Sequence, residues 1–122
     1  MTKVSCHCGA VELEVTLQNG LDTARRCDCS FCMRRGAAAV TVSLGALKVV
    51  KGADNLTKYT WGTHTAKHHF CKICGVYTHH QRRSNPNEYG VNLAAIEGVH
   101  VPDVDPIAWV DGVNHPSDAK SS

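Results

Sequence analysis

Seven cysteines fall into three tight groups, and this grouping constrains the fold more than any other feature of the 122-residue chain. The groups are Cys6-His7-Cys8, Cys27-Asp28-Cys29-Ser30-Phe31-Cys32 and Cys71-Lys72-Ile73-Cys74. An odd number leaves one thiol over in any disulfide framework. Cysteines this close along a chain do not readily bridge one another, but they suit tetrahedral coordination of a shared metal ion. We therefore expect metal binding to stabilise a domain too small to rely on packing alone.

One metal site is indicated by Cys71 and Cys74, which have the spacing of a zinc knuckle and are followed by Gly75. Two thiolates three residues apart supply half of a tetrahedral site at a tight turn. Cys6 and Cys8 supply another half, so the four sulfurs together predict a closed structural site. The alternative is a redox dithiol at Cys71 and Cys74, although the strand–helix unit typical of redox dithiols does not surround them.

The remaining cysteines, Cys27, Cys29 and Cys32, form a three-ligand set of their own. Three protein ligands leave a coordination position open, which is the pattern of catalytic zinc. The dipole of a helix that starts at Ser30 would help to stabilise these thiolates. The alternative is that a histidine or Asp28 completes a second closed structural site. Four plus three ligands account for all seven cysteines and predict two zinc ions per chain.

The rest of the sequence predicts a single domain over residues 1–122, mainly β, with one short helix. That helix is expected from Phe31 to Arg35, capped by Ser30 and ended by Gly36. Apolar residues alternate with polar ones in the predicted strands. These strands are residues 10–18, the stretch with Val40, Val42 and Leu44, the stretch at Val49 and Val50, the stretch with Tyr59, Trp61 and Thr63, two strands in residues 66–81 folded back at Cys71 to Gly75, and the stretch with Val91, Leu93 and Ala95.

Charge and hydropathy exclude several classes of protein. The net charge of +2 does not support a nucleic-acid or membrane footprint. Residues 1–15 contain no apolar run long enough for a signal peptide, and no stretch approaches membrane-spanning length. We therefore expect a soluble, cytoplasmic protein.

Two kinds of polar pair are candidates for a site. His68-His69 and His79-His80 flank the knuckle, and on a strand each pair points one ring to each face. The basic pair Arg82-Arg83 suits an anionic ligand beside an open zinc, whereas most such pairs are simply solvated. The pair Arg34-Arg35 ends the predicted helix, where it suits the helix dipole and needs no further role.

Taken together, the cysteine groups resemble a known family. The pattern Cys6-x-Cys8-Gly9, then Cys27-x-Cys29-x-x-Cys32, then Phe70-Cys71-x-x-Cys74-Gly75 is similar to the glutathione-dependent formaldehyde-activating enzyme family, which includes centromere protein V. The resemblance runs from Cys6 to about Pro116. The late segment Asp111-Gly112-Val113-Asn114-His115-Pro116 looks like the family's closing segment.

This resemblance implies a small zinc-containing β-sheet fold of the Mss-four type, shared with a small GTPase accessory factor. It implies a structural zinc on Cys6, Cys8, Cys71 and Cys74, and a catalytic zinc on Cys27, Cys29 and Cys32. The implied activity is that of a carbon–sulfur lyase, which adds glutathione or a related thiol to formaldehyde or another small aldehyde. From their position beside the knuckle strands, and not from the family motif, Arg82, Arg83 and His79 are predicted to bind the carboxylates of the thiol substrate. The alternative that the shared fold permits is a non-catalytic zinc-stabilised protein-interaction module.

Overall fold

Short runs of alternating apolar and polar residues form most of the structure, a computed structural model that describes residues 1–113. The strands in chain order are β1 (Thr2–Ser5), β2 (Glu12–Val15), β3 (Arg25–Cys27), β4 (Ala38–Ser43), β5 (Leu47–Lys51), β6 (Leu56–Tyr59), β7 (Lys67–Cys71), β8 (Tyr77–Gln81), β9 (Glu88–Asn92) and β10 (Trp109–Val110). Within these residues there is one α-helix, α1 (Ser30–Arg35), and four 3-10 turns at Leu44–Ala46, Ala53–Asn55, Leu93–Ala95 and Val101–Asp103. The expectation of a mainly β fold with one short helix is confirmed. Part of the closing segment, from Asn114 onward, lies outside the described residues.

The strands form two sheets. The smaller has the order β1-β2-β5, and the larger has the order β10-β3-β4-β9-β8-β7-β6. Neighbouring strands are antiparallel except β10, which pairs with β3 in parallel. Both sheets contribute side chains to one hydrophobic core.

Strand β2 shows how the pattern places residues in that core. Leu13 and Val15 are fully buried, whereas Glu12 and Glu14 on the other face stay half-exposed. Val40 of β4 and Val91 of β9 are also fully buried and are paired across the larger sheet. Each such side chain contributes about 1.5–3 kcal/mol when it is removed from water.

Several predicted strands end earlier than their periodicity suggested. The predicted strand over residues 10–18 is confined to Glu12–Val15. The strand with Val91 ends at Asn92, because the Asn92 side chain accepts a hydrogen bond from the backbone N–H of Ala94 and starts a 3-10 turn. Strand β6 ends at Tyr59, and Trp61 instead begins a turn closed by the His64 N–H.

Three strands were not predicted from the sequence: β1, β3 and β10. Strands β3 and β10 contain three and two residues, too few to show a period-two pattern, and the four residues of β1 include a single apolar one, Val4. They nevertheless position the cysteines. Strand β1 leads into Cys6, β3 ends at Cys27, and β10 brings residues 109–110 beside β3.

Candidate active site

The first cluster brings the end of β1 against the β7–β8 hairpin. The Sγ atoms of Cys6, Cys8, Cys71 and Cys74, called the four-cysteine cluster below, all lie within 4.8 Å of one another. The Cys8 Sγ lies 3.7 Å from both the Cys6 Sγ and the Cys71 Sγ. These separations are far longer than the S–S bond of about 2.05 Å in a disulfide. The geometry therefore fits sulfurs gathered around a metal better than sulfurs bonded in pairs.

Backbone groups hold this cluster in place. The N–H of Val11 donates to the Cys6 Sγ at 3.3 Å, and the N–H of Ile73 donates to the Cys71 Sγ at 3.4 Å. Gly75 has a φ of 77° and closes the hairpin turn with its N–H on the Cys71 carbonyl. This positive φ is the reason that glycine follows the knuckle.

The second cluster is local to residues 27–32. The Sγ atoms of Cys27, Cys29 and Cys32, the three-cysteine cluster, lie within 4.8 Å of one another. Cys27 ends β3, and Cys32 lies in the first turn of α1. The residue that caps the helix is Cys29 and not Ser30, because the Cys29 Sγ accepts the Cys32 N–H at 3.3 Å. As predicted, Gly36 ends the helix in the left-handed conformation.

Of the pair Cys27 and Cys32, Cys27 is the thiol that ionises more readily. A hydrogen bond from the Cys32 thiol is the main reason why the pKa of Cys27 falls to about 5, although partial burial opposes the shift. The same hydrogen bond raises the pKa of Cys32. Without a metal, the pair therefore shares one proton, held mainly on Cys32.

The residues that follow β10, Asp111 and Gly112, lie against one side of the three-cysteine cluster and are called the closing segment below. The N–H of Gly112 donates to the Asp28 Oδ1 at 2.7 Å, and a Cβ at Gly112 would collide with the Cys27 Sγ. Asp28 thus holds the segment that follows β10. Among residues 1–113, no histidine or carboxylate joins the three sulfurs as a fourth ligand atom.

A cavity of about 270 Å³ opens beside the three-cysteine cluster. Besides the three cysteines, its walls carry five arginines and two histidines: Arg25, Arg26, Arg35, Arg82, Arg83, His68 and His80. Among the described residues, Asp111 is the only carboxylate on these walls. The excess of guanidinium groups favours an anionic ligand, because their planar forks match carboxylates.

The predicted pair Arg82 and Arg83 does line this cavity. Arg82 donates its Nη2 to the Thr41 Oγ1 at 2.9 Å, and its Nε lies 3.9 Å from the Glu88 Oε1, too far for a hydrogen bond. Arg83 donates its Nη2 to the carbonyl oxygen of Gly112 at 3.4 Å. Both arginines are therefore oriented by neighbouring strands and by the closing segment.

The histidine pairs divide between the two faces of the β7–β8 hairpin. His68 and His80 line the cavity, whereas the rings of His69 and His79 stack on each other with centroids 4.6 Å apart. His79, the predicted substrate-binding histidine, is buried and its Nδ1 lies 2.8 Å from the Thr78 hydroxyl. The structure therefore places His80, not His79, at the cavity.

The family model of the glutathione-dependent formaldehyde-activating enzyme matches residues 1–110 of this sequence. The chain belongs to this family. A crystal structure of a Rhodobacter sphaeroides protein is also similar, with 64% sequence identity and a TM-score of 0.87. The match covers 88% of this chain and 99% of that one. The resemblance indicated by the cysteine motifs is thus confirmed. Within residues 1–113, no helix is long and apolar enough to cross a membrane.

In this member of the family, Arg35 is a site residue that the sequence analysis missed. Its Nη2 lies 3.5 Å from the Cys32 Sγ, and its Nη1 lies 3.0 Å from the His68 Nδ1. The guanidinium carbon sits 4.7 Å from the centre of the Phe31 ring and 3.8 Å from that of Tyr77. Phe31 and Arg35 are four residues apart and so share a helix face, a signal that was available in the sequence.

Burial controls the charge of the cavity histidines. Desolvation, reinforced by the Arg35 guanidinium, lowers the pKa of His68 to about 4 and holds the pKa of His80 well below its ordinary value. Burial also raises the pKa of Tyr77, whose hydroxyl lies 2.5 Å from the His80 Nδ1, to about 12. At neutral pH, both histidine rings are therefore neutral and the positive charge of the cavity resides on arginines.

Proposed function

We propose that this protein is a zinc-dependent carbon–sulfur lyase that adds the thiol of glutathione to formaldehyde, giving S-hydroxymethylglutathione. The observation that carries the proposal is a set of three sulfurs, with no fourth ligand among residues 1–113, on the wall of an arginine-lined cavity. Membership of the glutathione-dependent formaldehyde-activating family supports the substrate pair.

Zinc is the metal that the sulfurs fit best. Zinc–thiolate bonds are about 2.3 Å long, so neighbouring sulfurs of a tetrahedral site lie about 3.8 Å apart. The separations of 3.7 Å in the four-cysteine cluster match this value, and all-thiolate ligands favour a soft or borderline ion. We assign a structural zinc to the four-cysteine cluster and a catalytic zinc to the three-cysteine cluster.

The protein's own residues bind and orient the reactants. Zinc in the three-cysteine cluster supplies a Lewis acid and lowers the pKa of a thiol bound beside it. Arg82 and Arg83, which line the cavity, would bind the carboxylates of the tripeptide. The thiol loses its proton, its sulfur bonds to the aldehyde carbon, the carbonyl π electrons move to oxygen, and that oxygen gains a proton.

The activity is tested by measuring how fast glutathione and formaldehyde interconvert with their adduct, using NMR exchange spectroscopy. The zinc-loaded protein should increase this rate above the spontaneous one, and Cys29→Ser should abolish the increase. If the wild-type protein leaves the rate unchanged, the lyase assignment is wrong and a non-catalytic zinc module becomes the better interpretation.

Carboxylate recognition is tested separately. Arg83→Ala should raise the KM for glutathione at least several-fold while leaving the unfolding midpoint nearly unchanged. Arg34→Ala is the matched control, because Arg34 binds the Ser30 carbonyl of its own helix and does not line the cavity. An unchanged KM in both Arg82→Ala and Arg83→Ala would show that neither arginine binds glutathione.

A further inference from the structure

Arg35 links the three-cysteine cluster to a single histidine. Its guanidinium contacts the Cys32 Sγ at 3.5 Å on one side and the His68 Nδ1 at 3.0 Å on the other. The Phe31 and Tyr77 rings flank the same group. Cation–π contacts and hydrogen bonds together leave this guanidinium little freedom to rotate. The Arg35 side chain thus bridges His68 and Cys32 of the three-cysteine cluster.

This contact determines which nitrogen of His68 carries the hydrogen. A guanidinium is always protonated and only donates hydrogen bonds, so the His68 Nδ1 must accept. An accepting Nδ1 has no hydrogen, which makes the ring neutral with its hydrogen on Nε2. The lowered pKa of His68 agrees with a neutral ring.

The same ring belongs to the wall of the reaction cavity. His68 lines the cavity together with Cys27, Cys29 and Cys32. Its centroid lies 4.4 Å from that of Phe31 and 5.2 Å from that of His80, so the ring is held from two sides. Among residues 1–113, the hydrogen bond of this ring is made by Nδ1, which leaves Nε2 without a protein acceptor. The ring borders both this cavity and a second one beside Phe31 and Tyr77, and a ligand in the first is the acceptor considered below.

We propose that His68 donates a hydrogen bond from Nε2 to the aldehyde oxygen as that oxygen becomes an alkoxide, and that Arg35 is the positioning residue that fixes this tautomer. The role rests on the proposed lyase function. When the sulfur–carbon bond forms, the carbonyl π electrons move to oxygen, His68 keeps its proton, and the oxygen takes a proton from water. The thiol has released one proton to the solvent, so the overall reaction neither gains nor loses a proton. A neutral donor stabilises the developing charge without itself becoming an imidazolate.

His80 is the competing candidate, since it also lines the cavity. Its Nδ1 lies beside the Tyr77 hydroxyl, whose single hydrogen can go either to this nitrogen or to the Gly90 carbonyl oxygen at 3.3 Å, so this contact does not fix a tautomer. Only His68 is tied to the three-cysteine cluster through a charged donor. The geometry therefore favours His68.

The kinetic test compares three variants loaded with zinc. His68→Ala should lower kcat about 10²-fold or more, the usual effect of removing one oxyanion donor, with little change in the KM for glutathione or in zinc content. His68→Gln should recover part of this loss, because a glutamine amide can donate from nearly the same place as Nε2. His69→Ala is the matched control and should keep wild-type kcat, since its ring lies on the other face of the hairpin. Equal activity in His68→Ala and the wild type would overturn the proposal.

A second measurement separates this proposal from the function on which it rests. Nitrogen-15 NMR of labelled imidazole rings should show the His68 Nε2 protonated and the Nδ1 unprotonated in the zinc-loaded protein. Arg35→Met should change the ratio of the two His68 tautomers, while the tautomer ratio of His69 should stay as in the wild type. A protonated Nδ1 in an active enzyme overturns the assignment of His68 and leaves the lyase intact. If the predicted tautomer occurs in a protein that does not accelerate the reaction, the lyase function and the catalytic role of His68 both fail.

Discussion

The four-cysteine cluster joins parts of the chain as far as 68 residues apart, from Cys6 to Cys74, whereas the three-cysteine cluster forms within residues 27–32. In the first, Cys6 and Cys71 are buried in the hydrophobic core. In the second, all three cysteines line a cavity. Metal binding in the first therefore closes a long loop, and metal binding in the second closes a short one. The comparison teaches that the same ligand type, a cysteine thiolate, can be gathered either by distant parts of the chain inside the core or by a short segment on the wall of a cavity.

The surroundings of the two clusters differ as well. Backbone N–H groups approach sulfurs in both clusters, but among the described residues a guanidinium approaches a sulfur in the three-cysteine cluster, the Cys32 Sγ. Fixed amides stabilise thiolates within a rigid turn. A guanidinium also withdraws charge from the thiolate, so a metal held there remains the stronger Lewis acid. The three-cysteine cluster is thus the better candidate for chemistry.

The largest expected difference comes from removing one ligand of each cluster. Cys74→Ser should cost about 5 kcal/mol or more, close to the whole stability of a small domain, because structural zinc contributes its binding free energy to folding. Cys29→Ser should stay folded and keep one zinc, and its hydroxyl can still cap the helix. Circular dichroism melting and metal analysis of both variants measure this. If Cys29→Ser unfolds as readily as Cys74→Ser, both sites are structural.

The grouping of ligands could be predicted because metal ligands lie close together in sequence. The spacing of Cys71 and Cys74 or of Cys27 and Cys29 is visible without a structure. Because there are seven cysteines, a four-ligand site leaves three cysteines for a second site. Strand alternation also predicted that the two rings of each histidine pair point to opposite faces, and His68 and His80 line the cavity beside the three-cysteine cluster whereas His69 and His79 do not.

What could not be predicted depends on tertiary contacts. The choice of His80 over His79 follows from the register of β8 against β7 and β9, which two adjacent histidines do not reveal. Arg35 fits the helix dipole equally well in solvent, and only the positions of Tyr77 and His68 on the hairpin turn it inward. The close approach of Gly112 to Cys27 likewise joins residues distant in sequence.

Lowering the pH should destabilise the hairpin that carries Cys71 and Cys74 of the four-cysteine cluster, because this hairpin also buries His79. Burial lowers the pKa of His79 to about 3, so the folded ring stays neutral where the unfolded ring, with a pKa near 6.5, binds a proton. Stability from this residue is therefore present above pH 6.5 and is lost as the pH falls toward 3. Urea unfolding of the wild type should lose up to about 1.4 kcal/mol per pH unit more than His79→Gln. Parallel pH profiles would contradict this, since the metal ligands are common to both proteins.

Adding a methyl group beside the three-cysteine cluster should destabilise the protein less than losing a ligand of the four-cysteine cluster. Gly112→Ala places a Cβ against the Cys27 Sγ and the Cys29 backbone, which costs about 1–3 kcal/mol unless the closing segment moves away. We expect weaker metal binding at the three-cysteine cluster, measured by chelator competition, with the other metal retained. Gly45→Ala is the matched control, since a Cβ there meets nothing within 4 Å. Loss of the structural metal instead would show that the two clusters are coupled.

The smallest expected effect belongs to Asp28→Asn, which tests whether the three-cysteine cluster has a fourth protein ligand. The Asp28 Oδ1 accepts the Gly112 N–H, and an asparagine oxygen can accept it equally well. Stability should therefore change by less than about 1 kcal/mol, and native mass spectrometry should still show two zinc ions. Asp54→Asn, in the 3-10 turn Ala53–Asn55, removes the same charge away from the cavity walls and serves as the control. If Asp28→Asn alone loses one zinc, Asp28 is a ligand. The second site is then closed like the first, and the contrast between a structural and a catalytic cluster no longer holds.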